Sequence, residues 1–146
     1  PQVIELAVAA AGVHRVALVT DAMAAAGMPD GDFALGELRV AVRGGQARLV
    51  TPDGTPGSIA GSTLTMAAAF ERMVGWGYSI EQVAAMAATT PARWHGLDAV
   101  GELAPGCRAD LCVVDDHGQL LRVMQAGSWV VPRADEEVSS HAGRTT

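Results

Sequence analysis

The sequence contains the run Val16-Ala17-Leu18-Val19-Thr20-Asp21, which is almost entirely apolar, ends at a carboxylate and leads into Ala22-Met23-Ala24-Ala25-Ala26-Gly27. A continuous apolar run of this length is typical of a strand that is buried on both faces of a parallel sheet. A carboxylate at the end of such a strand is costly to bury unless it has a partner or a role. In a (β/α)8 barrel, catalytic groups lie at the carboxyl ends of the strands. Asp21 is therefore a candidate catalytic residue, and the competing interpretation is that it caps a turn or pairs with an arginine.

The composition is that of one medium-sized acidic protein. The chain has 146 residues, of which 49% are hydrophobic, and a formal net charge of −6. The acidic balance argues against sequence-independent binding of nucleic acid, which needs a basic surface. Because no apolar stretch reaches about 18 residues, we expect no membrane-spanning helix. The start at Pro1 shows neither an initiator methionine nor a signal-peptide pattern, so we expect a cytoplasmic chain that begins within a longer protein.

The histidines and cysteines do not have the spacing of metal ligands. They are scattered singly along the chain, at His14, His95, His117, His141, Cys107 and Cys112. We therefore expect surface histidines, two small buried or half-buried cysteines, and no set of direct metal ligands within this chain.

The first two thirds of the sequence predict an α/β arrangement with an insertion. A helix over 3–11 followed by the strand at 16–20 forms the second half of an α/β unit. Residues 32–51 predict an inserted β-hairpin that turns at Gly44-Gly45, and 52–57 predict a closing loop. Helices are predicted over 62–76, with Ser62 as N-cap, and over 80–89, opened by a Ser79–Gln82 capping box. Thr90-Pro91 begins a short third helix.

From residue 97 onward the pattern changes to strands separated by glycines. Strands are predicted over 109–115, 120–125 and 128–131, which together favour a small antiparallel sheet or half of a sandwich. Residues 133–146 are polar and small, so we expect a disordered tail.

The glycine-rich stretch 57–66 leads into a helix and allows two interpretations. Free N–H groups at a helix N-terminus favour an anion, so phosphate binding is one hypothesis. The alternative is an ordinary loop in which Ser62 or Thr63 caps the helix.

Two segments carry a family resemblance. Residues 18–27 (Leu-Val-Thr-Asp-Ala-Met-Ala-Ala-Ala-Gly) and residues 59–66 (Ile-Ala-Gly-Ser-Thr-Leu-Thr-Met) resemble motifs of N-acetylglucosamine-6-phosphate deacetylases. Thr89-Thr90-Pro91-Ala92 and residues 101–110 are similar to a broader amidohydrolase pattern. Together these motifs cover roughly residues 13–130.

The resemblance implies a fold and a division of the chain. Residues 1–96 would be the C-terminal part of a metal-dependent (β/α)8 barrel, with the β-hairpin insert at about 32–51. Residues 97–132 would be the C-terminal strands of a small β-sandwich domain. The overall class would be α/β.

The resemblance also implies a reaction and a set of site residues. The family hydrolyses the N-acetyl group of N-acetylglucosamine 6-phosphate to glucosamine 6-phosphate and acetate. Asp21 would be the catalytic carboxylate that contacts the metal-bound water, and the sugar phosphate would lie against Ile59, Ala60, Gly61 and Ser62. The divalent metal, zinc or iron, would be held by residues upstream of this segment, so we expect the isolated chain to be inactive.

The family resemblance further implies a homodimer in the complete enzyme. Two other functions stay open at this point. One is a different amidohydrolase that acts on a cyclic amide or another N-acetyl sugar. The other is a non-catalytic fragment that binds a sugar phosphate or another subunit.

Overall fold

A computed structural model describes residues 1–130 as two antiparallel sheets and a group of helices. The helices are α1 (Gln2–Ala11), α2 (Met66–Gly75), α3 (Ile80–Ala84) and α4 (Thr90–Trp94), with a 3-10 turn at Val13–Arg15 and a π-helical turn at Ala85–Thr89. The strands are β1 (Gly31–Leu35), β2 (Leu38–Arg43), β3 (Gln46–Val50), β4 (Pro56–Ile59), β5 (Leu111–Val114), β6 (Leu120–Gln125) and β7 (Ser128–Trp129). No helix in this range combines the length and the apolarity needed to cross a bilayer.

The first sheet is a four-stranded antiparallel meander in the order β1-β2-β3-β4. Alternate residues of β2 and β3 face one core, where Val40, Val42 and Ala47 are buried together with Met23 and Ala60. The predicted turn at Gly44-Gly45 is confirmed, and the positive φ values of 57° and 70° are those that a two-residue hairpin turn requires.

The insert is larger than the hairpin predicted at 32–51. Pro56–Ile59 forms the fourth strand and pairs with β3 through an irregular register, although Pro56 and Gly57 are predicted in the closing loop. Proline is tolerated at the first residue of an edge strand, because no partner there needs its missing N–H. The prediction of a loop over 52–57 is therefore wrong at Pro56 and Gly57, which belong to β4.

The 16–20 segment begins with extended backbone at Val16 but is not a paired strand, contrary to the prediction. Val19 is 77% exposed. Among the described residues the segment has no strand on either side, and burial on both faces requires such neighbours. Its backbone is joined to the helices where Leu18 N–H donates to the Met86 carbonyl at 2.9 Å.

The helices share a second core. Its buried members are Val8, Met73, Val83 and Met86, against which Val16, Leu18 and several other partly buried side chains pack. Met86 and Val83 are fully buried, so the helix predicted over 80–89 turns these two side chains toward the core.

The helix starts follow local capping chemistry. Ser79 and Gln82 form the predicted capping box, with both reciprocal hydrogen bonds present. The preceding helix begins later than predicted, at Met66, because the Thr65 hydroxyl, and not Ser62, accepts the capping bond from Ala68 N–H at 3.2 Å.

The second and third predicted helices are continuous through the π-helical turn at Ala85–Thr89. Thr90 N–H donates to the Ala85 carbonyl, five residues back. Pro91 follows and has no N–H to continue the ladder, which is a common cause of such local rewinding.

The second sheet has the order β5-β6-β7 and confirms the small antiparallel sheet expected after residue 97. β6 has the predicted bounds, β5 is shorter than predicted, and β7 ends at Trp129. The turn between β5 and β6 contacts α2, where Gly118 is buried and Gln119 Nε2 donates to Glu71 Oε1 at 3.0 Å. The tail predicted at 133–146 lies outside the described residues.

The cysteine prediction holds for one residue only. Cys107 is half-buried, but Cys112 is exposed on β5, an edge strand of the second sheet. Three of the histidines, His14, His95 and His117, are exposed as expected, and His141 lies outside the described residues.

We expect Gly118→Ala to destabilise the chain more than Gly36→Ala. Both glycines have positive φ, 80° and 59°, so each substitution introduces backbone strain of about 1–2 kcal/mol. A Cβ at residue 118 would also lie 2.9 Å from Val74 Cγ2, whereas at residue 36 nothing lies within 4 Å. Overpacking of this kind adds about 1–3 kcal/mol to the loss. Urea unfolding of both variants measures the difference, and equal losses would contradict the contact between this turn and α2.

We expect Thr51→Val to raise the pKa of Asp53. Hydrogen bonds from the hydroxyls of Thr51 and Thr55 lower that pKa from 3.8 to about 2. Because the pKa is depressed in the folded chain, the stabilisation of this turn is present above pH 3.8 and is lost as the pH falls toward about 2. An NMR titration of the Asp53 carboxyl carbon should show a large rise in Thr51→Val and a smaller one in Thr55→Val. An unchanged titration in both variants would exclude the hydroxyls as the cause.

Candidate functional site

Asp21 ends the extended segment in a backbone conformation that few side chains adopt. Its φ is +50°, in the left-handed region, where aspartate and asparagine are the most tolerated residues after glycine. The residue is exposed and takes part in none of the ion pairs found within residues 1–130. The interpretation that Asp21 pairs with an arginine is therefore not supported over this range.

Two backbone hydrogen bonds join the Asp21 segment to the glycine-rich loop. Ser62 N–H donates to the Asp21 carbonyl at 2.8 Å, and Met23 N–H donates to the Ser62 carbonyl at 2.9 Å. These bonds form an isolated parallel bridge between Ala22 and Ser62. The structure thus brings Asp21 beside Gly61 and Ser62, which the sequence analysis selected from two separate motifs.

Gly61 fits this junction because it has no side chain. Its φ is +76°, and a Cβ at this position would lie 3.1 Å from the Asp21 carbonyl oxygen and 3.5 Å from Met23 Cβ. The glycine therefore serves both the left-handed conformation and the close approach of two backbones.

The four predicted substrate-binding residues differ in what they can offer a ligand. Ile59 is 62% exposed, whereas Ala60 is only 5% exposed and belongs to the core of the first sheet. Ala60 N–H also donates to the Ala47 carbonyl at 3.1 Å, so the carbonyl oxygen is the polar atom of Ala60 that can still bind a ligand. Gly61 and Ser62 are half-buried beside Asp21.

The hydroxyl of Ser62 retains a free proton donor. Its oxygen accepts a hydrogen bond from Leu64 N–H at 2.8 Å, which closes a tight turn before α2. The hydroxyl hydrogen is not used by that bond, so it can donate to an oxygen of a ligand. Ser62 lies four residues before Met66, so it is not at the N-terminus of α2, which Thr65 caps instead.

Sequence reasoning missed the contacts that hold this loop against the first sheet. The Thr63 hydroxyl donates to the Gly45 carbonyl at 2.6 Å, and the Asp30 carboxylate accepts N–H groups of the Gly44-Gly45 turn. The glycine pair signalled the turn, but no local pattern indicates which distant side chains bind it.

Residues 1–130 do not provide a metal-binding cluster. No group of three or more histidine, cysteine, aspartate or glutamate side chains in this range is arranged to hold a metal ion. The described residues therefore do not fit a divalent metal by themselves.

Comparison with known proteins places this geometry in a family. A family model described as the amidohydrolase family matches residues 2–131. The chain belongs to the amidohydrolase family. This membership confirms the resemblance found in the motifs around Asp21 and Ser62.

The relatives of this amidohydrolase chain are named as deacetylases of amino-sugar phosphates. It is 43% identical over 104 residues to an N-acetylgalactosamine-6-phosphate deacetylase of Escherichia coli O157:H7, covering 70% of this chain. It is 35% identical over 125 residues to an N-acetylglucosamine-6-phosphate deacetylase of Lysinibacillus sphaericus, covering 85% of this chain.

A solved structure has a similar fold. It is the N-acetyl-D-glucosamine-6-phosphate deacetylase of Mycobacterium smegmatis, crystallised as a mutant with N-acetyl-D-glucosamine-6-phosphate, with a TM-score of 0.79 and 40% identity over 90% of this chain. The chain covers only 35% of that structure, 26% of the Escherichia coli O157:H7 relative, and 59% of a shorter relative from strain K12.

We expect Gly61→Ala to loosen the Asp21–Ser62 bridge, and Gly27→Ala to leave it intact. The two glycines have the same φ of 76°, but a Cβ at residue 27 has nothing within 4 Å. Both variants lose about 1–2 kcal/mol from backbone strain, and only Gly61→Ala pushes against the Asp21 carbonyl. Amide hydrogen exchange should show faster exchange at Ser62 and Met23 in Gly61→Ala alone. Equal exchange in the two variants would contradict the steric role of this glycine.

Proposed function

We propose that this chain is the C-terminal portion of an enzyme that hydrolyses the N-acetyl group of N-acetylglucosamine 6-phosphate. The products are glucosamine 6-phosphate and acetate. The observation that carries the proposal is the junction of Asp21 with the Gly61-Ser62 loop, where an exposed carboxylate meets a loop with a free hydroxyl donor. The names of the amidohydrolase relatives support the same reaction.

Asp21 is the proton carrier in this proposal. Its carboxylate accepts a proton from the water that attacks the acetyl carbonyl carbon, and the bond between that carbon and the amide nitrogen then breaks. Asp21 returns the proton to the nitrogen, so that the amine leaves neutral and the carboxylate is regenerated. An exposed, unpaired carboxylate suits this role, because no cation has to be displaced before it can accept a proton.

The loop after β4 holds the substrate. Ser62 donates its hydroxyl hydrogen to a substrate oxygen, and Ile59 offers an exposed apolar side chain. Gly61 and Ala60 contact the substrate through their backbone atoms. Since three of these four contacts involve backbone or a single hydroxyl, the loop fixes orientation more than it contributes charge. The phosphate therefore finds its cationic partners outside this loop.

The complete enzyme uses a divalent metal, zinc or iron. Residues 1–130 do not fit it as a ligand set, so we assign its ligands to upstream residues. The family resemblance of the motifs around Asp21 and Ser62 supports three further proposals: residues 1–96 are the end of the barrel, residues 97–132 belong to a small β-domain, and the complete enzyme is a homodimer. We also propose that this enzyme is cytoplasmic.

A second candidate substrate is N-acetylgalactosamine 6-phosphate. The Escherichia coli relative named for that sugar is 43% identical, against 35% for the Lysinibacillus sphaericus relative named for N-acetylglucosamine. The two sugars differ only in the configuration of one hydroxyl group. Acetate release from each, measured in parallel, separates the two substrates.

We expect Asp21→Asn to lower acetate release by about 10²–10⁴-fold in the polypeptide extended upstream of Pro1, because an amide cannot accept the proton. Asparagine tolerates the left-handed backbone, so the geometry is retained. Asp116→Asn, which removes another exposed carboxylate, is the matched control and should leave the rate unchanged.

The 146-residue chain alone, with zinc added, should release no acetate. Release that disappears in Asp21→Asn would show that the metal site is completed within this chain or between its copies, and would overturn the assignment of ligands to upstream residues. An extended polypeptide that binds the sugar phosphate with equal affinity in both variants, and never releases acetate, would favour a non-catalytic binding role.

A further inference from the structure

The glycine turn between β2 and β3 is held from two sides. On one side, the Asp30 carboxylate accepts the N–H groups of Gly44 and Gly45, the second at 3.1 Å. On the other side, the Gly45 carbonyl accepts the Thr63 hydroxyl at 2.6 Å. The turn thus links Asp30 to the residue that directly follows Ser62.

The carboxylate fixes a turn that would otherwise be loose. Gly44 and Gly45 have no side chains to pack, and both adopt positive φ values. A carboxylate that accepts two successive N–H groups forms charge-assisted bonds, which are stronger than neutral ones. Asp30 therefore sets the direction of the Gly45 carbonyl to which Thr63 binds.

The Thr63 hydroxyl bonds to the sheet, whereas the hydroxyls of the neighbouring Ser62 and Thr65 bond to N–H groups within the loop and the start of α2. The Ser62 hydroxyl accepts from Leu64 N–H, and the Thr65 hydroxyl accepts from Ala68 N–H. Within residues 62–65 of the described structure, Thr63 has the one side-chain hydrogen bond that leaves the loop and α2. Ala60 N–H holds the loop to the Ala47 carbonyl before Ser62, and the Thr63 bond holds it to the sheet after Ser62.

We infer that Asp30 and Thr63 are positioning residues, which act through the Gly44-Gly45 turn to hold the Gly61-Ser62 loop against Asp21. The inference rests on the proposed function for its consequence in catalysis, because neither side chain is placed against the substrate. Loss of either anchor lets the loop move away from Asp21 and weakens substrate binding, while the proton chemistry of Asp21 stays intact.

The first experiment measures the stability of the hydrogen bonds between Asp21, Ser62 and Met23, and does not require an enzyme assay. Amide hydrogen exchange at Ser62 and Met23 should be about tenfold faster in Thr63→Val and in Asp30→Asn, on the scale of one lost hydrogen bond. Thr63→Ser keeps the hydroxyl and should restore the protection. Asparagine at residue 30 has one acceptor oxygen and cannot serve both N–H groups.

Asp32→Asn is the matched control for Asp30→Asn. Asp32 lies two residues along the chain and forms an exposed ion pair at 2.8 Å with Arg43, the residue before the turn; the carboxylate that binds the N–H groups of Gly44 and Gly45 is that of Asp30. Protection at Ser62 and Met23 should be unchanged in this variant. If Thr63→Val and Asp30→Asn exchange as slowly as Asp32→Asn, the inference is overturned.

The second experiment measures catalysis in the polypeptide extended upstream. Thr63→Val and Asp30→Asn should raise KM about fivefold with kcat within about twofold, since a misplaced binding loop loses ground-state contacts. Gly118→Ala destabilises the chain at the contact with Val74 and Glu71 of α2, and is the control for a merely structural loss. It reduces the folded fraction, which lowers kcat and leaves KM unchanged.

The outcomes separate the inference from the proposed function. Faster exchange with an unchanged KM in an active enzyme would overturn the positioning role. Faster exchange in an extended polypeptide that releases acetate from neither sugar phosphate would overturn the proposed function and support the anchoring of the loop.

Discussion

The backbone bridge between Ala22 and Ser62 is the constraint on which the rest of the site depends. The chain packs into the helix core at Leu18 and into the core of the first sheet at Met23, so it crosses from one core to the other within a few residues. The two hydrogen bonds of the bridge fix that crossing. Asp21 lies at the crossing, and its left-handed backbone is the consequence of turning between two cores.

The same constraint explains why the site combines rigid and open features. The backbone on both sides is hydrogen-bonded, and Gly61 permits a close approach that a Cβ, 3.1 Å from the Asp21 carbonyl oxygen, would crowd. The Asp21 side chain nevertheless remains exposed, because only its carbonyl takes part in the bridge. A carboxylate on a fixed backbone with a free side chain is suited to carry a proton to and from a bound substrate.

The first sheet contributes to the site through hydrogen bonds at the turn between β2 and β3. The buried faces of β2 and β3 form the core of the sheet, while the Gly44-Gly45 turn extends from its end and receives Asp30 and Thr63. The insert thus supports the loop after β4. A four-stranded meander performs this better than an isolated hairpin, because two-stranded ribbons are marginally stable alone.

The sequence by itself determined the elements that depend on local chemistry: the capping box at Ser79, the turn at Gly44-Gly45, the amphipathic helices, and the motifs around Asp21 and Ser62 that indicated the family. Only the tertiary structure decided which distant residues meet. The fourth strand of the insert, the exposure of Val19 and the anchoring of Thr63 depend on pairing between segments far apart in sequence. Hydrogen bonds within a turn or cap are encoded over three or four residues, whereas strand neighbours and loop anchors are selected by packing that no short window of sequence contains.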